Sequence, residues 1–319
     1  MRVERMRKVW TLVTVVALFL IYPVFVTPKG YINFVDYKFA AFAVITIVVL
    51  AVTLCIELFY KEKSGSFCFA VTDYFVVAYL ISNTVSLCIS EYTAVSFTGS
   101  IDRRMGYFTI LIMCFAYLIF RIVDIDVKTF CIVASCGFVI VSLFAILQFM
   151  GIDLFGFISV IDKDNVLVFT STLGNTMHYA EYICIMWPIA IYGAIYFENE
   201  ICILASSAFL PALMASNSDA AYVGALLELI VLVLFFTIRN KHCEFLLILI
   251  SNLLASIVFR VGYLLGEAPR PYSNITRFFM QNRALILLAA LILFYILSIT
   301  KFKQINNKRA FLKVYRNIF

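Results

Sequence analysis

An all-α, polytopic transmembrane helical bundle is the fold class this sequence predicts, on three observations. Hydrophobic residues make up 64% of the 319 and charged residues only 14%. Mean hydropathy is +1.00. The apolar residues come as about ten continuous runs, each close to the roughly 20 residues a helix needs to cross the hydrocarbon core. Only helices and closed barrels satisfy their backbone there, and runs such as 40–60 and 130–149 lack the alternation of a barrel strand. A soluble globular protein is excluded.

Taken in order, the expected spans are 9–27, 39–60, 69–90, 106–123, 129–150, 177–197, 201–215, 220–238, 244–263 and 284–300. The first follows a basic stretch, MRVERMRKVW, and no small-x-small cleavage site comes after it, so it reads as an uncleaved helix. Placing that basic end in the cytoplasm and alternating brings the C-terminus back to the same side. Of the 25 lysines and arginines, 16 then lie inside and nine outside, as the positive-inside rule requires. The seventh span is short and contains Pro211; the turn Ser216-Asn217-Ser218-Asp219 folds it against the eighth. Ala220/Gly224 and Ala221/Ala225 give the eighth helix two faces for close packing. The chain, 1–319, reads as a single integral membrane domain without a visible internal repeat.

The formal charge of +6 is scattered between spans, which suits orientation and contact with anionic membrane lipids rather than nucleic acid. Six of the nine cysteines (Cys55, Cys114, Cys131, Cys136, Cys184 and Cys202) sit inside apolar runs without metal-ligand spacing, and read as small buried hydrophobes. Two D-x-D strings, Asp124/Asp126 and Asp162/Asp164, fall in short polar turns that need no metal to explain them. No P-loop, G-x-S-x-G or zinc pattern occurs, so no metal and no cofactor is expected.

Outer basic residues run against the orientation rule and so mark a use; the nine include Lys29, Lys38, Arg103, Arg104, Arg260, Arg270, Arg277 and Arg283. Arg103 and Arg104 stand in FTGSIDRRMGYFTI, just before the fourth span. Two planar, always-charged guanidiniums suit a diphosphate, and Gly99 and Gly106 on either side allow a tight chain path. Lipid headgroups, or pairing with Asp102 and Glu91, explain the same two arginines as well. In FTSTLGNTMHYAEYICIMWPIA, His178, Glu181 and Tyr182 fall at i, i+3 and i+4, predicting one shared helical face near the outer surface. An ionisable pair there suits proton abstraction from a hydroxyl; a structural polar cluster at the helix end is the alternative. Asp219 reads as a helix cap, and Glu228 lies mid-membrane.

These segments, with MASNSDAAYVGALLELIVLVLF, resemble in order and spacing the signatures of the O-antigen ligase and polymerase family of bacterial envelope glycosyltransferases. The resemblance implies a multi-pass protein of the bacterial cytoplasmic (inner) membrane. It would move a glycan from an undecaprenyl-diphosphate carrier to an acceptor hydroxyl on a glycan or lipid, using neither ATP nor nucleotide sugar. Arg103 and Arg104 match the family's basic pair, with Arg270 and Arg277 in the outer loop 264–283 as further diphosphate ligands. His178 and Glu181 take the catalytic role, because the family's large outer loop with its histidine has no counterpart after the tenth span. Thr176 stands where proline is common, and Asp219 where many members carry arginine. The expectation is a C-terminally shortened member: a fragment, a paralogue that needs a partner membrane protein, or an inactive chain. A lipid-linked sugar flippase and a non-catalytic assembly subunit are the alternatives.

Overall fold

The computed structural model describes residues 2–59, 69–100, 103–158, 161, 168–266 and 273–306, and every regular element among them is helical. The first crossing joins α1 (Arg2–Val16), a π-helical turn (Ala17–Ile21) and α2 (Tyr22–Val24). Then come α3 (Phe34–Phe59), α4 (Val71–Cys88), α5 (Thr93–Thr98), α6 (Tyr107–Ile122) and α7 (Val127–Phe149). The second half holds α8 (Thr176–Phe197), α9 (Glu200–Ser207), α10 (Phe209–Ser216), α11 (Asp219–Ile238), α12 (His242–Leu265), α13 (Asn274–Phe279) and α14 (Asn282–Asn306). Seven helical stretches among the described residues are long and apolar enough to cross a membrane: Glu4–Val24, α3, α4, α7, α8, α11 and α12.

Three expected spans fall outside those seven for identifiable reasons. Helix α6 has 16 residues and the apolar part of α14 runs only Asn282–Leu297. The third, 201–215, is broken at Ala208 into α9 and α10. Pro211 has no N–H for the Ser207 carbonyl, so an unbroken helix would lose that bond. Asn252 of α12 repairs the break: its Oδ1 accepts from Leu210 N at 2.9 Å and its Nδ2 donates to the Ser206 carbonyl at 2.8 Å. Trp187 donates to the same carbonyl at 3.1 Å and stacks on Phe209 with centroids 3.9 Å apart.

The buried centre is built by α7, α8, α9, α10 and α12, around Phe138, Tyr179, Ile183, Trp187 and Phe245. Small residues bring the backbones close. A Cβ on Gly137 would come within 2.2 Å of the Phe19 carbonyl, so α7 packs directly on the π-helical turn. Ala221 and Ala225 are the buried face of α11, as the small-residue pattern predicts, whereas Ala220 is exposed. Among the described cysteines, Cys131 and Cys202 are buried, Cys114, Cys136 and Cys184 half-buried, and Cys55 exposed. Leu, Ile, Val and Phe cover the outer surface, as a bundle in lipid requires.

Contacts sort the connections onto two ends of the bundle. At one end Arg7 pairs with Glu57 at 3.3 Å, Thr11 donates to the Asp124 carbonyl, and Arg121 grips Asp73 with Nε and Nη2 at 2.7 and 2.9 Å. Asp126 caps α7 there, accepting from Thr129 N at 2.9 Å. At the other end Arg104 meets Asp36, Tyr31 meets Ser171, and Asn217 and Asp219 meet Ser273. Successive long helices from the first crossing to α8 therefore alternate in direction, while α8 and α11, which pack on each other, begin at the same end.

Candidate functional site

The 99–106 segment is a closed loop on two glycines. Gly99 ends α5 with φ +77°, and its N–H donates to the Val95 carbonyl at 2.7 Å. A Cβ on Gly106 would sit 2.3 Å from Gly99 N, and one on Gly99 would sit 2.4 Å from Met105 N, so the two strands of the loop touch backbone to backbone. The Ser100 carbonyl accepts from Arg103 N and Arg104 N at 3.1 and 2.8 Å, turning both arginines out of the loop. Arg104 takes a left-handed backbone (φ +50°), and its carbonyl accepts from Thr109.

The two guanidiniums are not equivalent. Arg104 Nε donates to Asp36 Oδ1 at 2.5 Å across from the start of α3. That hydrogen bond to a carboxylate raises the Arg104 pKa further above its usual value. Its partner is Asp36 rather than Glu91; Asp102 lies outside the described residues. Arg103 is exposed and forms no ion pair among the described residues. Lys29 stands beside Tyr37, the neighbour of Asp36, donating to its hydroxyl at 3.4 Å. The first turn of α3 thus holds Arg104 at Asp36 and Lys29 at Tyr37.

The 169–175 segment is buried rather than a surface loop. Ser171 donates from its N–H to Gln148 Oε1 at 2.7 Å and from its hydroxyl to the Val141 carbonyl at 2.5 Å, while its own carbonyl accepts from Tyr31 at 2.5 Å. Thr172 donates to the Pro23 carbonyl at 2.8 Å. Lys38, expected on the outer surface, is 8% exposed, and its ammonium donates to the carbonyls of Pro23, Phe25 and Thr172 at 2.9, 2.8 and 3.0 Å. Three carbonyls saturate its three donors, so Lys38 has no hydrogen left for a ligand.

Gly174, in the left-handed region at φ +73°, lies against the Phe34 ring and turns the chain into α8, where Asn175 caps the helix by accepting from Met177 N at 2.7 Å. His178 and Glu181 follow in the first two turns. Their side chains are 71% and 73% exposed, with Nδ1 and Oε2 3.5 Å apart. Tyr182 does not share that face; it turns inward and stacks on Phe138 at 6.5 Å. At about 100° per residue, Glu181 and Tyr182 point in directions a quarter-turn apart, enough for one to face out and the other the core. Phe34 and Asp36, two residues apart on α3, tie the α8 entry and the arginine loop to one end of the bundle.

The remaining predicted ligands lie elsewhere. Arg277 is exposed on α13, which packs on α14 and, through Phe279 stacked on Tyr222 at 4.7 Å, on α11. Arg270, and Asp162 and Asp164 of the second D-x-D string, lie outside the described residues. Arg260 is committed to the α13–α14 junction, donating to the Met280 carbonyl and to Asn282 Oδ1 at 2.5 and 3.0 Å. Asp219 is the first residue of α11 rather than its cap, and accepts from Ser273 Oγ at 2.7 Å. Asp126 of the first D-x-D string is spent on the α7 cap. Among the described residues, no group of three or more metal-ligating side chains converges.

No family model, no curated protein and no solved structure matches this chain.

Proposed function

We propose that the chain is a membrane glycosyltransferase of the O-antigen ligase and polymerase type, moving a glycan from an undecaprenyl-diphosphate carrier to an acceptor hydroxyl. In this reading the bundle makes ten crossings of a bacterial cytoplasmic membrane, counting α6, the α9–α10 pair and α14. Both termini are cytoplasmic, and the arginine loop and the start of α8 face outward. The observation that carries the proposal is the glycine-closed loop, which holds Arg104 against Asp36 and leaves the Arg103 fork open to solvent.

The reaction is substitution at the anomeric carbon. The acceptor oxygen forms a bond to that carbon, the bond to the carrier diphosphate breaks, and the diphosphate leaves with the electron pair. His178 takes the hydroxyl proton, with Glu181 beside it to favour the imidazolium. Arg103 faces the charge that grows on the leaving diphosphate; a well-placed donor of this kind is worth on the order of 3 kcal/mol.

Purified protein in nanodiscs, supplied with labelled carrier-linked glycan and an acceptor, tests the reading, with and without a neighbouring membrane protein from the same cells. Transfer that is lost in Arg103→Ala together with undecaprenyl diphosphate binding supports it. Binding unchanged in Arg103→Ala and Arg104→Ala eliminates the site.

A further inference from the structure

Halfway along α11 sits a carboxyl group that forms no ion pair among the described residues. Glu228 lies nine residues after Asp219, about 13 Å along the helix at 1.5 Å per residue. Both its oxygens are shut off from solvent, and neither has a hydrogen-bond partner among the described residues. Carboxyl groups at membrane depth ordinarily pair with another charge or a polar group, and an ionised one without a partner is costly.

Its surroundings are small and thin. Helix α8 packs on this side of α11: the Cys184 thiol donates to the Ala221 carbonyl at 3.9 Å. A Cβ on Gly224, one turn before Glu228, would rest 3.7 Å from Cys184 Sγ. Cys184 is also close enough to Glu228 to feel its charge. Ionisable side chains on α11 and on the elements around it have other partners: Tyr222 of α11 with Thr276, Glu244 with Lys241, Arg260 with Asn282, and Tyr295 with Thr237 of α11, while Tyr182 stacks on Phe138 and Tyr263 on Phe149.

We propose that Glu228 is a proton-exchanging site inside the bundle, which keeps its proton while α8 and α11 are packed and gives it up only when that contact opens. Glycine and alanine on α11 leave a seam that parts without moving a large side chain. Ionisation demands such parting, since the anion needs water or a cation that the closed seam does not admit. The proposal is independent of the glycan-transfer reading and goes beyond it.

The test uses the full chain in native membranes. Dicyclohexylcarbodiimide, which partitions into lipid, adds the acid O–H across one of its C=N bonds; the resulting acylisourea rearranges to a stable acylurea that peptide mass spectrometry locates. Modification of Glu228 by this reagent, several-fold above that by a water-soluble carbodiimide, is the expected result. No modification, or equal modification by both, overturns the proposal. Opening is read at Cys184 by N-ethylmaleimide, comparing the native chain with Glu228→Gln at each pH; a Glu228 anion disfavours the nearby thiolate, so its charge alone would slow alkylation and cannot mimic the expected increase. Several-fold faster alkylation of the native chain at alkaline pH is expected, and equal rates overturn the coupling.

Discussion

Lys38 donates to the main-chain carbonyl of Thr172, 134 residues away, at 3.0 Å. With the Pro23 and Phe25 carbonyls on the same ammonium, that contact ties the exit of the first crossing, the start of α3 and the entry to α8 into one unit. Replacing Lys38 with Met removes all three donors while keeping the length of the side chain. Pro23 keeps the hydrogen bond from the Thr172 hydroxyl, but the Phe25 and Thr172 carbonyls lose the ammonium, and a buried acceptor left bare costs about 1–3 kcal/mol, so a clear loss of thermal stability in detergent is expected, with new proteolytic cleavage between Phe169 and Asn175. A melting temperature equal to that of the native chain would show the ammonium to be dispensable.

Closure of the arginine loop depends on the two glycines that touch. Gly106→Ala forces a methyl into the Gly99 amide and therefore opens the loop without disturbing any long helix. Helical content by circular dichroism should stay unchanged, while affinity for undecaprenyl diphosphate falls by about ten-fold, the equivalent of 1.4 kcal/mol. Retained affinity would mean that the loop's shape is irrelevant to binding.

Arg103 and Arg104 should separate under mutation. Arg103→Ala removes an exposed guanidinium without a structural partner among the described residues, and so should weaken diphosphate binding while leaving the melting temperature in place. Arg104→Ala also strips Asp36 of its cation and should lower both. Arg104→Lys restores charge but not the planar fork and should recover binding only in part. Identical behaviour of the two alanine variants would refute a division of labour.

The cap on α7 carries a pH signature. Hydrogen bonds from the Thr129 hydroxyl and N–H hold the Asp126 carboxyl below its usual pKa. Its contribution is therefore complete above the unfolded value, near 3.9, and is lost as pH falls through the lower folded value. Asp126→Asn keeps an acceptor that does not ionise and should flatten the acid limb of a stability-against-pH curve, whereas Asp126→Ala should cost about 1 kcal/mol at neutral pH. An acid limb unaltered by Asp126→Asn would move that dependence to other carboxylates.

Hydropathy located the helices because desolvation acts on each segment by itself: α3, α7, α8, α11 and α12 begin and end within about five residues of their sequence-derived spans. Local chemistry was equally readable at Gly99 and Gly106, at the Ser216–Asp219 turn and on the Ala221/Ala225 face. Partners were not. Asp36 and Arg104 are 68 residues apart, and Tyr31 and Gln148 are 117 apart, so neither pairing leaves a mark in the spacing of residues. Lys38 misled because a lysine at the head of an apolar run ordinarily snorkels to water; here carbonyls freed at the end of α2 take its protons instead. Tyr182 was misplaced because heptad-like spacing assigns a stripe, while a core edge divides it.

The mended break at Ala208 also bears on how this chain enters the membrane during synthesis. The Ser206 carbonyl has Trp187 as well as Asn252, but the Leu210 amide has its partner in Asn252, which emerges from the ribosome well after Ser216. Until then the half-made hairpin holds a bare backbone amide that hydrocarbon does not tolerate. Its lateral release from the translocation machinery therefore awaits α12, making α9 to α12 a single unit of insertion.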